Sequence, residues 1–232
     1  QQGLALARSL PDWSPLIEGW EVSDGELCVP SNLVHAELLE LVFTSPTFDP
    51  SVVSVLGSGF GGLSCATLET TDVFARLTGL KELRIELGYG RKQQRAYTRG
   101  VPGGNFRHID GLADLTAVEL LVIKDCKDLE NVDGLANLTA LTELSLRGSW
   151  SLQNIDGLAT CTSLASIDLD DCWALENVDA LGHCSELVHQ FWGVEGDRAF
   201  SLNSCKALKS VAGLANLTGL KELGLVSCEA LE

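Results

Sequence analysis

The stretch from Leu138 to Cys161 reads LTALTELSLRGSWSLQNIDGLATC, and the stretch from Cys161 to Cys184 reads CTSLASIDLDDCWALENVDALGHC. The second copy begins 23 residues after the first, and their apolar positions coincide. An earlier copy, LTAVELLVIKDCKDLENVDGLANL, runs from Leu115 to Leu138, and a shorter late copy, LTGLKELGLVSCEALE, runs from Leu217 to Glu232. A fixed period of this length is the sequence signature of a repeat protein.

Each copy combines two kinds of spacing. Its first part alternates as L-x-L, which is the spacing of a short strand with one buried face. Its second part reads V-D-G-L or a close variant and is spaced like one helical turn, with an aspartate placed to cap that turn. These aspartates are Asp110, Asp133, Asp156 and Asp179. One coil cannot bury its apolar side alone, but stacked coils can, with parallel strands about 4.8 Å apart.

The composition narrows the class of protein. Hydrophobic residues make up 45% of the 232 residues, which predicts a folded chain with a sizeable core. There are 32 acidic and 16 basic residues, giving a net charge of −16. The negative electrostatic field of such a protein repels phosphates, which disfavours a surface that binds nucleic acid. The longest apolar runs are too short to span a membrane.

The first residues and the sequons suggest how the chain is processed and where it is located. The chain contains no Met and begins with Gln1, so we expect a processed product or an excerpt of a longer protein. That start and two glycosylation sequons favour a secreted or cell-surface location, with an intracellular complex as the alternative. The sequons, at Asn137 and Asn216, share one repeat position, so repeat drift explains them equally well.

These residues resemble short leucine-rich repeats of the internalin-like or protist surface-protein type, with Cys at the turn position that commoner repeats give to Asn. The L-x-x-L-x-L-x-x-C pattern carries the resemblance, most clearly from Leu77 to Glu232. It implies an α/β leucine-rich-repeat solenoid, with a curved parallel β ladder and short helical turns on the convex side. It also implies a protein-binding module that is not an enzyme.

The repeat phase divides the chain. Residues 1–56 are expected to form an N-terminal cap and irregular first coils, and residues 57–232 the solenoid. Departures from the period of 23 place insertions near 89–107 and 189–198. The last repeat stops before its turn, so no polar coil covers its apolar side, and we expect a continuation or a docked partner there.

The cysteines follow the same phase. Slots that other repeats fill with Leu are core slots, where Cys behaves as a small hydrophobe, so buried thiols are expected. Two stacked pairs could still reach disulfide distance, Cys161 with Cys184 and Cys205 with Cys228. A metal site built from Cys172, His183, Cys184 and His189 is not expected, because Cys172 and Cys184 are expected to point into the core from different corners of a coil.

A glycine motif between Val52 and Leu68 looks like a flavin-type dinucleotide fingerprint, with Gly57, Gly59 and Gly62 in its three places. The same segment keeps the repeat phase, and no βαβ unit follows it. We therefore expect no cofactor. The histidines form no arrangement with a Ser or Cys nucleophile, so no catalytic residues are expected either.

The candidate binding residues lie beside the strands. Residues flanking the core Leu positions are expected to project from the concave face, and Trp150 and Trp173 are expected to stack on adjacent coils beside an acidic cluster. The first insertion is rich in Arg and Lys and forms a second candidate contact, with a solvated loop that folds back on acidic neighbours as the alternative. The candidate protein-binding residues are Trp150, Trp173, Asp168, Asp170, Asp171, Arg147, Arg91, Lys92, Arg95 and Arg99.

The sequence favours a protein partner with a basic surface, because the chain is strongly acidic. It predicts that reversing the charge of Asp168, Asp170 and Asp171 weakens binding and leaves folding intact. The alternative is a structural subunit embedded permanently in a larger assembly, which the open last coil and the insertions favour. The sequence does not name the partner.

Overall fold

The computed structural model describes residues 21–23, 26–28, 39, 53–56, 63–64, 69–86, 106–187, 189–190, 200–220 and 222–232. In these residues short strands alternate with single 3₁₀ turns, as the mixed spacing predicts. The strands are β1 (Glu21–Ser23), β2 (Glu26–Cys28), β3 (Val55–Leu56), β4 (Leu63–Ser64), β5 (Glu82–Glu86), β6 (Leu120–Lys124), β7 (Glu143–Ser145), β8 (Ser166–Asp168), β9 (His189–Gln190), β10 (Phe200–Ser201) and β11 (Leu223–Gly224). The 3₁₀ turns are Asp72–Phe74, Asp110–Leu112, Asp133–Leu135, Asp156–Thr160, Asp179–His183 and Ala212–Asn216.

The strands form one long ladder and a short second sheet. The long sheet runs β1-β2-β3-β5-β6-β7-β8-β9, with β4 also paired to β5, and β10 pairs with β11 separately. All pairs are parallel except β1 with β2. Leu121, Leu144 and Ile167 lie opposite one another on three successive strands, which is the register that the period of 23 predicts. No helix in the described part of the chain is long and apolar enough to cross a membrane.

Two of the coils have a strand in two pieces. Both β3 and β4 pair with β5, through Leu56 opposite Leu83 and Leu63 opposite Ile85. The glycines of the dinucleotide-like motif fall between these pieces, outside the described residues. The two residues directly after the motif, Leu63 and Ser64, form β4, whereas a helix follows the glycines in a dinucleotide site. Likewise β9 pairs with β8 and β10 pairs with β11, and residues 191–199 between them lie outside the described residues.

The cysteines of the turn slot occupy one column, as the phase predicts. The thiols of Cys172, Cys205 and Cys228 each donate to a carbonyl of the preceding coil, those of Leu146, Leu169 and Leu202, at 3.4, 3.3 and 3.1 Å. Cys126 makes the same bond to Phe106. Neither of the two possible disulfides is present: Cys161, Cys184, Cys205 and Cys228 are all free thiols.

Burial disfavours the thiolate form of four cysteine side chains. It raises the pKa of Cys126 and of Cys205 to about 12, and that of Cys161 and of Cys184 to about 11. Because the thiolate is the reactive form, these side chains act as core residues. Among the described residues, no group of three His, Cys, Asp or Glu side chains could hold a metal ion.

The turns are capped differently from the expectation. Asp133, Asp156 and Asp179 begin their 3₁₀ turns and do not cap them. The side chain that accepts a turn N–H belongs to the Asn two residues earlier: in one coil Asn154 Oδ1 accepts from the Asp156 N–H at 3.3 Å. The aspartates instead place a negative charge in the first turn, where the exposed N–H groups favour it.

Candidate functional site

Every described coil from β6 onward bends at the same place, directly after its strand. One residue there has a positive φ, between 58° and 77°, and the cysteine or serine of the turn slot follows it. These residues are Asp125, Gly148, Asp171, Ser204 and Ser227. The left-handed conformation suits Gly and is tolerated by Asp. Because the bend recurs in register, the residue two places after it emerges at the same edge of each coil.

That edge carries a column of four side chains, Lys127, Trp150, Trp173 and Lys206, which we call the Lys–Trp ladder. The two indole rings stack with centroids 4.4 Å apart and planes 3° from parallel. The Lys127 ammonium lies 4.4 Å from the centre of the Trp150 ring, and the Lys206 ammonium lies 4.6 Å from the centre of the Trp173 ring. The stacking of the two tryptophans that the sequence predicts is therefore present, and it is bounded by a cation at each end.

The backbone holds the Lys–Trp ladder in place. The N–H of the residue after each member donates to the carbonyl of the member one coil earlier, as from Ala174 to Trp150 at 3.1 Å and from Ala207 to Trp173 at 3.0 Å. A stacked aromatic pair contributes roughly 0.5–1.5 kcal/mol, and each exposed cation–π contact about 0.5–1 kcal/mol. Trp173 nevertheless remains 38% exposed. The ladder is thus a surface of two stacked indole rings and two ammonium groups that is already formed without a partner.

The acidic residues next to the ladder are placed differently from the expectation. Asp168 is 1% exposed and Asp170 is 6% exposed, so these two carboxylates, here called the buried acidic pair, do not project into solvent. Only Asp171 of the three is half-exposed. The sequence-based assignment of Asp168 and Asp170 as surface residues is therefore wrong. The alternation of residues along a strand predicts the side of the sheet on which a side chain lies. It does not predict whether other residues cover that side.

Hydrogen bonds satisfy the buried acidic pair. Asp168 accepts from the Ser145 hydroxyl at 3.4 Å and from the Asp170 N–H at 3.1 Å. Asp170 accepts from the Ser201 hydroxyl at 2.6 Å and from the Asn203 N–H at 2.9 Å through one oxygen. The two carboxylates therefore belong to the framework of the sheet.

Asp170 joins the two sheets. Ser201 and Asn203 follow the second insertion, and the strand β10 does not pair with β8 in the main ladder. The Asp170 carboxylate therefore supplies the acceptor that attaches this part of the chain to the preceding coil. The Asp171 N–H adds a bond of 2.9 Å to the Asn203 carbonyl.

Arg147 connects the buried acidic pair to the surface. Its guanidinium lies 3.4 Å from an oxygen of Asp170 and 3.3 Å from an oxygen of Asp171. The Arg147 side chain is 31% exposed and that of Asp170 is 9% exposed, so the Asp170 contact is the better shielded of the two. Arg147 is therefore partly neutralised within the chain before any partner arrives.

The burial of Asp168 predicts that the stability of the fold depends on pH. Burial raises its pKa, the Asp170 charge raises it further, and the hydrogen bond from Asp170 and the charges of Arg147 and Lys124 oppose this. The folded state therefore retains the proton to a higher pH than the unfolded state, so the contribution of Asp168 to stability falls as the pH rises. We expect Asp168→Asn to gain stability relative to the native chain as the pH is raised from acid to neutral.

The measurement is the free energy of unfolding of both chains at several pH values. Asn keeps an acceptor for the Asp170 N–H and can donate to Ser145, so the fold is retained. The control is Asp133→Asn, which removes one charge from an exposed position. A difference between Asp168→Asn and the native chain that stays constant with pH would contradict the burial argument.

The remaining candidates are distributed as follows. Arg91, Lys92, Arg95 and Arg99, the second candidate contact, lie outside the described residues. Sequence reasoning did not select Lys127 and Lys206 for the site, although both fill the slot of the two tryptophans and the period alone stacks them. It also missed Ser145, Ser201 and Asn203 as partners of the buried acidic pair, and no sequence motif marks them.

Solved structures share this architecture. No protein-family model matches the chain, and no curated protein matches it. Internalin C2 from Listeria monocytogenes is 16% identical with a TM-score of 0.54, and the match covers 87% of this chain and 80% of that one. The chain has the fold of a leucine-rich-repeat protein of the internalin-like kind. Leucine-rich-repeat folds generally mediate protein–protein interactions, and proteins with this fold are typically not catalytic.

Two further solved structures match less well. The internalin InlF of Listeria monocytogenes is 14% identical with a TM-score of 0.29, and the match covers 96% of this chain and 93% of that chain. TLR13, solved in complex with ssRNA13, is 16% identical with a TM-score of 0.46. The match covers 84% of this chain but only 27% of TLR13. The fold assignment therefore stands on the internalin C2 structure and on the strand ladder itself.

Proposed function

We propose that this leucine-rich-repeat solenoid is a non-catalytic module that binds another protein along the edge formed by the Lys–Trp ladder and the neighbouring strand ends. The observation that carries the proposal is the pre-stacked pair of Trp150, which is half-buried, and Trp173, which is 38% exposed. Tryptophan is enriched among residues that dominate binding energy, and a rigid anchor loses little conformational entropy on binding. Arg147 and Asp171 border the pair as polar groups at the rim.

The buried acidic pair then has a supporting role. Asp170 fixes Arg147 and the chain after the second insertion, which keeps neighbouring coils in register beneath the ladder. The preference for a partner with a basic surface stays part of the proposal. It rests on the net charge of −16 and on the exposed aspartates of the convex turns, which raise the rate of encounter with a basic protein.

A photo-crosslinking residue tests where the partner binds. Replacing Ser151, beside the ladder, should give a crosslinked product with the partner in the native host, whereas replacing exposed Thr160 in a convex turn should not. The crosslinked protein is then purified, and calorimetry with the native chain and with Trp173→Ser should show at least tenfold weaker binding for the variant. Crosslinks at Thr160 alone, or an unchanged affinity for Trp173→Ser, would contradict the proposal.

A second candidate is a structural subunit of a larger assembly, which would use the apolar surface of the last described coil. Leu223 and Leu225 are only half-buried there, whereas their equivalents in earlier coils, such as Leu144 and Leu146, are fully buried. Val226 is 69% exposed. A coil with the same L-x-L pattern would cover them, whether it came from a continuation of this chain or from another subunit. Size-exclusion chromatography separates the two candidates, because a soluble monomer supports the free module and aggregation supports the embedded subunit.

A further inference from the structure

We infer that the Lys–Trp ladder binds an extended acidic segment of its partner, with two carboxylates four residues apart and an apolar side chain midway between them. This inference rests on the proposed function and names the chemistry of the segment that the ladder contacts.

The faces of both indole rings are already occupied. Trp150 and Trp173 cover one face of each other, and the ammonium groups of Lys127 and Lys206 cover the outer faces. What the ladder offers a partner is therefore the edges of the rings together with two ammonium groups. Ring edges carry the positive part of the aromatic quadrupole, so the whole strip favours negative charge.

The ends of the ladder limit this strip. Asp125 lies near Lys127, and Glu229 occupies the ladder slot in the coil after Lys206. One carboxylate thus lies in the coil of the first lysine and another follows in the coil after the second, and the cationic strip is confined to the four coils from Lys127 to Lys206. At physiological salt, charges more than about 8 Å apart are largely screened, so the local strip decides the contact while the acidic body acts only at long range.

The length of the strip sets the spacing in the partner. Stacking steps of 4.4, 4.4 and 4.6 Å separate the two ammonium groups. Four residues of an extended chain span about 13 Å, which matches these three steps together. In an extended chain, residues i, i+2 and i+4 point to the same side. Carboxylates at i and i+4 would therefore reach the two lysines, and the side chain at i+2 would lie on the indole edges.

Titration of tryptophan fluorescence with short peptides tests the inference. The probe is Glu-Ala-Leu-Ala-Glu, blocked at both ends and free of aromatic residues, and the comparison peptides are Lys-Ala-Leu-Ala-Lys and a version with its two carboxylates two residues apart. We expect the probe to bind about three- to fivefold more tightly than the peptide with the closer carboxylates, which loses one exposed ion pair, and by a larger factor than the lysine peptide, which loses both.

Matched variants assign the binding to the ladder. Lys127→Gln and Lys206→Gln should each lower the affinity for the probe peptide about three- to fivefold, since each variant loses one exposed ion pair with the peptide. Lys209→Gln is the control because it removes the same charge from the same coil, where Lys209 pairs with Glu176 outside the ladder. Circular dichroism checks that all three variants keep the native fold.

The outcomes separate this inference from the proposed function. Selective binding of the probe that depends on the ladder lysines supports the inference. Tighter binding of the lysine peptide in a manner that depends on Trp173 overturns it and leaves the proposed function standing. Equal affinity for the two acidic spacings, an equal effect of Lys209→Gln, or no binding of any peptide also overturns it, and the crosslinking experiment then judges the proposed function separately.

Discussion

Replacing Asp170 with Ala should cost about 3–5 kcal/mol of unfolding free energy, because it removes one partner of a buried ion pair and the acceptor of two further hydrogen bonds. The Ser201 hydroxyl and the Asn203 N–H lose their shared acceptor, and Arg147 loses its shielded partner. These contacts attach the chain after the second insertion to the preceding coil. We therefore expect the damage to be largest in residues 200–205.

Two variants make this result specific. Asp170→Asn keeps an oxygen for Ser201 and Asn203 and loses only the charge that faces Arg147, so it should cost clearly less than Asp170→Ala. Asp171→Asn removes a half-exposed carboxylate and keeps a residue that tolerates the left-handed bend, so its cost should stay below about 1 kcal/mol.

The measurements are denaturant unfolding and hydrogen exchange read by mass spectrometry. Repeat proteins can lose cooperativity, so exchange in residues 200–205 is the more local readout. An Asp170→Ala chain as stable as the Asp171→Asn chain would show that the Asp170 contacts contribute nothing. The sequence-based expectation that charge reversal at Asp168, Asp170 and Asp171 leaves folding intact is replaced by this one, because two of the three carboxylates are buried.

The period of 23 was sufficient to predict most of the fold. Counting from Cys126 places Cys172, Cys205 and Cys228 in one slot once the second insertion is allowed for, and all four thiols bond to a carbonyl of the coil before them. The same count stacks Trp150 on Trp173. Both results follow because, in a solenoid, sequence position modulo the repeat determines spatial position.

The period could not predict what depends on the surroundings of a coil. Asp168 lies on a strand face that the repeat pattern marks as outward, yet it is buried, because covering depends on other parts of the molecule. Similarly, Asp156 begins a turn whose N–H is capped by Asn154, and the spacing alone does not distinguish these two neighbours as caps. Predicting the ammonium group at each end of the tryptophan pair would need the directions of the lysine side chains, and the repeat period gives no information on side-chain direction.

Replacing Gly157 with Ala should destabilise the solenoid by about 3 kcal/mol, which is at the upper end of the usual cost of overpacking. Gly157 lies in a 3₁₀ turn directly against the preceding coil, and a Cβ there would collide with the backbone carbonyl of Val132. Backbone cannot rotate away as a side chain can, so the two coils would have to separate. Gly134 and Gly213 contact the carbonyls of Ile109 and Val178 in the same way.

The next coil supplies the matched control. Ala180 occupies the position equivalent to Gly157, is 6% exposed, and carries a Cβ in the native chain. Ala180→Gly should therefore cost only about 0.5–1 kcal/mol, mainly through the extra freedom of Gly in the unfolded chain. Denaturant midpoints give both values, and exchange at residues 133–135 reports whether the coils have separated. If Gly157→Ala were no more destabilising than Ala180→Gly, the close backbone approach would not be what fixes the spacing of the coils, and the register that builds the Lys–Trp ladder would depend on the strands alone.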